Sequence, residues 1–406
     1  MKSGSRVAIE GVGLVAPGAT GVEQFEQLLM EGRSGIAMVD RFDTSGQNAH
    51  KAGLIRGFQA RQFIAPGKIR RMNTLSRQAV AATKMARTDA AIETNRYDPS
   101  EIGVALGTAF GPVQTSVDYM REYVEQGSSL APPQLFAESV ANAPGSHIAI
   151  EFDHRGFNLT LTQRESSALA ATMFACSQIV KGTVKAAMAV GVEELNEITF
   201  SVLDKIGALS SNGAKEEASR PFDRDRDGMV VGEGAAAFYL DGSPRDGETS
   251  YGYFAGFGIA RDRTASISNW GTGASAVVRA MSDALRDAEI TIGEVDAIWA
   301  SANGSLAGDR LEASALRQMF GNSVPPVVAT KGYFGEYAGA GALHLVTAAV
   351  AMRRQWIPAS LGFEESEIGL ELPVNIAGRP SPLRNILVNS LSAGGGIVCA
   401  ILSRQS

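Results

Sequence analysis

Cysteine is nearly absent: the 406-residue chain carries two, Cys176 and Cys399. Two thiols exclude a disulfide framework. Both sit inside apolar runs, MFACSQIV and GGIVCAIL, where a thiol is expected to be buried as a small hydrophobe, and a cytoplasmic setting fits. Histidine is equally scarce, with four in the chain. His50, His147 and His154 are isolated, neither CxxC nor HxxxH spacing occurs, and no metal site is expected. There is no basic excess either: the net charge of -6 provides no global basic field, so neither nucleic acid nor an anionic membrane is an expected partner. Long apolar runs are missing. The N-terminal MKSGSRVAIEGVGLVAPGA is short and broken by Glu10 and glycines, and reads as neither a signal segment nor a membrane span. No GxxxxGK[ST] phosphate loop is present.

What the chain does have is ordinary globular composition, 45% apolar and 20% charged. Its 45 glycines are scattered in small clusters, which predicts many tight turns and close backbone approaches. Short β-rich runs alternate with amphipathic stretches: RVAIEGVGLV, then TLSRQAVAATKMARTDAAIE, then IGVALGTA. That alternation predicts a layered α/β fold. A charged, polar stretch, DGSPRDGETSYG, separates two parts that each repeat strand and helix, and it reads as the junction between residues 1–245 and 246–406.

Residues 218–235 read ASRPFDRDRDGMVVGEGA. Arg220, Pro221, Phe222, Asp223, Arg226, Asp227, Gly228, Gly232, Glu233 and Gly234 all match the signature stretch of β-ketoacyl synthases, which this segment closely resembles. Alternating Asp and Arg ahead of glycines suggests an ion-paired network fixing a turn rather than a solvated charged loop. Further segments agree in order and spacing: VAIEGVGLVAPGA, SGIAMVDRFDTS, IGVALGTAFG, SVANAPGSHIAI, VGVEEL, ATKGYFGEYAGAGAL and NSLSAGGG. The resemblance covers essentially the whole chain. It implies a thiolase-like fold, two halves with a mixed five-stranded sheet each, stacked in five αβαβα layers and forming an extensive dimer.

Decarboxylative condensation needs a thiolate to hold the acyl chain, donors for the thioester oxyanion, and two imidazoles to assist loss of carbon dioxide. Matching GFNLTLTQRESSALAA to the family through Gly156, Asn158 and Thr160 puts Glu165 at the nucleophile position. Cys176 lies eleven residues on, roughly 16 Å along a helix, and cannot stand in for it. In SANGSLAGDRLE, Asn303 takes the place of the first His, with Asp309 and Glu312 as the family's acidic pair. In ATKGYFGEYAGAGAL, Lys331 is kept while Glu336 takes the place of the second His; His344 lies eight residues further on. In NSLSAGGG, Ala393 replaces the gating Phe and Leu391 and Gly396 also depart, while Met229 replaces a Phe in the RDG turn.

A carboxylate at a helix N-terminus is stabilised by the helix dipole, so Glu165 is expected to be structural and to pair with Lys331. If Glu165 and Glu336 face each other, repulsion should push one of them towards its protonated form unless Lys331 intervenes. Ketosynthase relatives without the Cys are chain-length factors. The resemblance implies a non-catalytic subunit that forms a heterodimer with a Cys-containing ketosynthase and helps shape the tunnel in which a polyketide or polyene chain grows. It implies no cofactor for this chain; the partner would use phosphopantetheine-bound acyl chains on an acyl carrier protein, which the acidic balance here leaves mainly to the partner. On this matching Phe110 and Leu135 fall where the tunnel approaches the subunit interface; Phe110 reads equally well as a core aromatic. Two alternatives stay open: a loading subunit that decarboxylates malonyl-carrier protein, and a homodimeric acyl-binding pseudoenzyme.

Overall fold

Strand order is the first thing the tertiary structure adds. The computed structural model describes residues 6–91, 96–211, 215–243, 251–266 and 269–404. The first half contains β1 (Val7–Ala16), β2 (Ile102–Gly107), β3 (Asn158–Leu161), β4 (Ala186–Glu193) and β5 (Gly234–Asp241). The second contains β6 (Tyr253–Arg261), β7 (Ala297–Ala300), β8 (Val327–Ala329), β9 (Asn385–Leu391) and β10 (Gly396–Ser403). With the short strand Ala19–Thr20 beside β1, they form an eleven-stranded sheet in the order β3-β2-β4-β5-β1-β6-β10-β9-β7-β8. Each half, counted from its own first strand, therefore runs 3-2-4-5-1.

The strand directions repeat as well. β2 is parallel to β3 and β4, while β5 is antiparallel to β4 and β1. In the same way β7 is parallel to β8 and β9, and β10 is antiparallel to β9 and β6. The halves join through two register pairs, Val7 with Phe254 and Ala8 with Tyr253. The centre of the expected junction, residues 244–250, lies outside the described residues.

The main helices are α1 (Thr74–Asp89), α2 (Val113–Gln126), α3 (Pro133–Glu138), α4 (Ser167–Val180), α5 (Ala274–Asp287), α6 (Leu306–Phe320) and α7 (Ala342–Arg354). Alternation along the strands sorts them into layers, because successive side chains leave opposite faces of a sheet. Val104 and Leu106 of β2 pack with Leu75, Ala79 and Ala82 of α1, whereas Ala105 faces α4. Val398, Ala400 and Leu402 of β10 share the core containing α4 and α7, whereas Ile397, Cys399 and Ile401 face α5 and α6. Two helices thus lie between the halves and others cover the outside: the expected five layers. Strands covered on both faces read as nearly continuous apolar runs, which is why β4 is AAMAVGVE.

The first strand of each half meets its outer helix at glycine. A Cβ at Gly13 of β1 would lie 2.2 Å from the Ala82 carbonyl oxygen of α1, and one at Gly258 of β6 would lie 1.9 Å from that of Ala280 in α5. Among the described residues no helix is long and apolar enough to cross a membrane.

Candidate functional site

The turn between β3 and α4 carries Glu165. Arg164 adopts a φ of 47°, uncommon for a side-chain-bearing residue, and Arg164–Ser166 form one 3-10 turn ahead of the helix. The glycine turn after β9 secures it. Ser166 donates its N–H to the Ser392 hydroxyl (3.2 Å) and its own hydroxyl to the Ser390 carbonyl (3.0 Å). The Glu165 side chain is buried; its Oε1 accepts a hydrogen bond from the Tyr337 hydroxyl at 2.8 Å, and its Oε2 has no hydrogen-bond partner among the described residues. Burial, and then the nearby Glu336 carboxylate, push the Glu165 carboxyl up to about 7.

The expected pairing of Glu165 with Lys331 does not form. Lys331 opens a short helix, Lys331–Phe334, and Gly335, at a φ of 84°, turns the chain back. Glu336 consequently folds onto Lys331, Nζ to Oε1 2.6 Å, with both side chains buried. The Tyr337 N–H donates to the same oxygen (2.8 Å), and the Asn303 side-chain amide donates to Oε2 (2.9 Å). Lys331 therefore compensates the Glu336 carboxylate. The three residues matched to the family's catalytic positions come together: Asn303 and Glu336 bond directly, and Glu165 joins them through Tyr337.

The signature stretch supports this cluster from behind. The Glu336 N–H donates to the Val230 carbonyl and the Glu336 carbonyl accepts from the Gly232 N–H, each at 2.7 Å. Glu233, fully buried, accepts from both Arg41 terminal nitrogens (2.7 and 2.6 Å), from the Ile55 N–H (2.8 Å) and from the Leu195 N–H (3.0 Å). Asp309 receives the N–H groups of Phe222 (2.7 Å) and Asn303 (3.0 Å), so it fixes the Asn303 turn. Glu312 receives the Ser301 N–H (3.0 Å) and the Asn389 amide (2.9 Å). Burial pushes Asp309 up to about 6 and Glu312 up to about 7.

The ion pairs of the signature stretch run mostly outside it. Arg226 meets Glu367 at 2.7 Å, Arg220 lies 3.7 Å from Glu364, and Asp223 accepts the N–H groups of Glu364 (2.7 Å) and Glu365 (3.0 Å). Asp227 accepts the Ser210 hydroxyl (2.6 Å). Arg41 lies 192 residues from Glu233, and Glu364 and Glu367 each lie 141 residues from Asp223 and Arg226 respectively.

Phe110 is 38% exposed; its ring rests against that of Tyr337, centroids 4.9 Å apart and 60° between planes. Its N–H donates to the buried Glu193 carboxylate at 3.2 Å, and burial pushes Glu193 up to about 8. The Phe110 ring is thus packed on Tyr337 while the residue reaches the surface of this chain. Leu135 is half-buried on α3, beside Phe136, which packs on Tyr119 of α2. Met229 is buried with its sulfur 3.9 Å from the Asn303 amide, and Ala393 is half-buried in the turn after β9. His344 bonds Thr330 through Nδ1 (2.9 Å) and is held down at about 3 by burial and the Lys331 charge. Cys176 and Cys399 are buried in the core, which pushes both thiols up. Among the described residues no group of three or more His, Cys, Asp or Glu side chains is placed to hold a metal ion. Sequence reasoning missed Tyr337 altogether; its only signal was adjacency to Glu336.

Comparison with known proteins agrees with this architecture. The family model for the β-ketoacyl synthase N-terminal domain matches residues 4–243, and that for the C-terminal domain matches residues 251–364. The chain is 29% identical over 415 residues to the tetracenomycin polyketide synthase ketoacyl synthase beta subunit of Streptomyces glaucescens, covering 100% of both proteins. It is 27% identical over 403 residues to 3-oxoacyl-[acyl-carrier-protein] synthase 2 of Vibrio cholerae, covering 96% of this chain and 97% of the relative. Among solved structures, the ishigamide ketosynthase/chain length factor superposes with a TM-score of 0.89 at 25% identity, covering 99% of this chain and 100% of that one. With both domain models matched in order and the thiolase-like layers in place, the chain belongs to the β-ketoacyl synthase family.

Proposed function

We propose that this chain is the non-condensing, chain-length-factor subunit of a type II polyketide synthase, working as a heterodimer with a Cys-bearing ketosynthase. The observation that carries the reading is the closed chain Glu165–Tyr337–Glu336, with Lys331 and Asn303 on its far end. Condensation needs a nucleophile that forms and hands on a thioester, and two imidazoles at the malonyl group. A buried carboxyl, an ion-paired carboxylate and an amide provide neither. The similarity to a ketoacyl synthase beta subunit and to a ketosynthase/chain length factor structure supports the same reading.

On this reading the partner holds the acyl chain and takes it from an acyl carrier protein, and this chain contributes tunnel wall. Phe110 is the gating residue, with Leu135 further along the wall. Met120, Val124 and Phe136, on α2 and α3, are 53%, 75% and 59% exposed, an apolar surface suited to a subunit interface. An obligate pair should bury well above about 1,600 Å². The decarboxylating alternative is disfavoured because it relies on two imidazoles, and His344 is engaged with Thr330 and held neutral.

Co-expression with the ketosynthase encoded beside it tests the proposal. A one-to-one complex that condenses malonyl units, with the acyl group found only on the partner's Cys, is expected. Carbon–carbon bond formation by the purified chain alone, with an acyl group covalently attached to it, would overturn the reading; carbon dioxide release from malonyl-carrier protein by the chain alone would replace it with the decarboxylase.

A further inference from the structure

Tyr337 stands where the carboxylate cluster meets the exposed aromatic Phe110. It is held at both ends. Its backbone takes a left-handed φ of 63°, with the N–H donating to Glu336 Oε1 at 2.8 Å. Its hydroxyl, buried, donates to Glu165 Oε1 at 2.8 Å. A tyrosine has two side-chain torsions, so fixing the backbone and the far tip fixes the plane of the ring.

Phe110 has less support of its own. Its N–H is tied to Glu193, 38% of the residue is exposed, and its ring stacks at a tilt on that of Tyr337. An aromatic ring packed on one side is directed by that side, and an offset, tilted pair at this separation has a preferred geometry.

We propose that Tyr337 is the positioning residue for the Phe110 gate, and that Glu165, at the nucleophile position of the family, serves here as the anchor of Tyr337. The inference rests on the gating role assigned to Phe110 above and extends it: the converted turn sets product length through a second residue. Removing the Tyr337 ring frees Phe110 to swing aside. Removing the hydroxyl or its acceptor loosens the ring without deleting it.

The test uses the full chain reconstituted with its ketosynthase, reading the ratio of over-length to native-length products. Phe110→Ala and Tyr337→Ala are each expected to raise that ratio by about tenfold, and the double variant to raise it no further than either single one. Tyr337→Phe and Glu165→Ala are expected to give the same smaller rise as each other. If Tyr337→Ala does not assemble with the ketosynthase, these two milder variants decide the matter. Longer products from Phe110→Ala with an unchanged ratio in Tyr337→Phe and Glu165→Ala would overturn the positioning role and leave the gate standing. An unchanged ratio in Phe110→Ala itself would overturn the gate, and the inference with it.

Discussion

The Tyr337 hydroxyl lies 2.8 Å from Glu165 Oε1, a bond between the second half of the molecule and the first across 172 residues of chain. Through Tyr337 it joins Glu165 and Glu336 into one buried hydrogen-bonded unit. Two expectations follow from that unit, one from the Glu233 network and one from the strand–helix contacts of β1 and β6.

Glu165 has a folded-state pKa raised from 4.5 to about 7. A raised carboxyl contributes stability that is fully present below its unfolded pKa and is lost as pH rises through the folded value. Wild-type stability is therefore expected to fall across that window. Glu165→Gln, which keeps an acceptor for Tyr337, should flatten the slope by on the order of 1–3 kcal/mol. Glu193, Glu194 and Glu312, pushed up to about 8, 7 and 7, act with the same sign and leave a residual slope. Denaturant midpoints measured in a pH series check this, and parallel slopes for the two proteins would contradict it.

Lys331 is the cation facing Glu336, and both are buried. Lys331→Met leaves a buried carboxylate uncompensated and should cost about 3–5 kcal/mol. Adding Glu336→Gln should recover most of that loss. A double-mutant cycle measures the coupling, and additive losses would show that the ion pair is not the unit described here.

Glu233 accepts from Arg41 and from two backbone N–H groups at once. Glu233→Ala strands the guanidinium and both amides, and a loss of about 3–5 kcal/mol, seen as a drop in soluble yield and Tm, is expected. Asp225→Asn, on a solvent-screened ion pair with Lys215, should leave soluble yield and Tm nearly unchanged and serves as the comparison.

Gly258→Ala places a methyl group 1.9 Å from the Ala280 carbonyl oxygen, and Gly13→Ala places one 2.2 Å from that of Ala82. In each case a helix must move away from a strand, at a cost of about 1–3 kcal/mol or more. Gly293→Ala, with nothing within 4 Å, should be tolerated. Thermal unfolding of the three variants separates these outcomes.

Much of the architecture was legible before any coordinates. Runs such as RVAIEGVGLV and IGVALGTA read as strands, and the ASRPFDRDRDGMVVGEGA stretch pointed to the family. Glu165, Asn303 and Glu336 were singled out by matching motif spacing to the family, and the structure brings them together. The pairing of those residues was not legible. Lys331 was expected on Glu165 and lies on Glu336, because the left-handed turn at Gly335 brings a residue five positions away closer than one on another half.

Residue type and spacing, properties of the linear chain, thus determined that the fold is layered α/β and that the chain belongs to the β-ketoacyl synthase family. The tertiary structure alone decided that the two halves share one strand order, that Arg41 and Glu367 complete the charged network, and that Tyr337 links Glu165 to Phe110. Those contacts join segments far apart in sequence, and periodicity and local motifs encode only what lies within a few residues or on one face of an element.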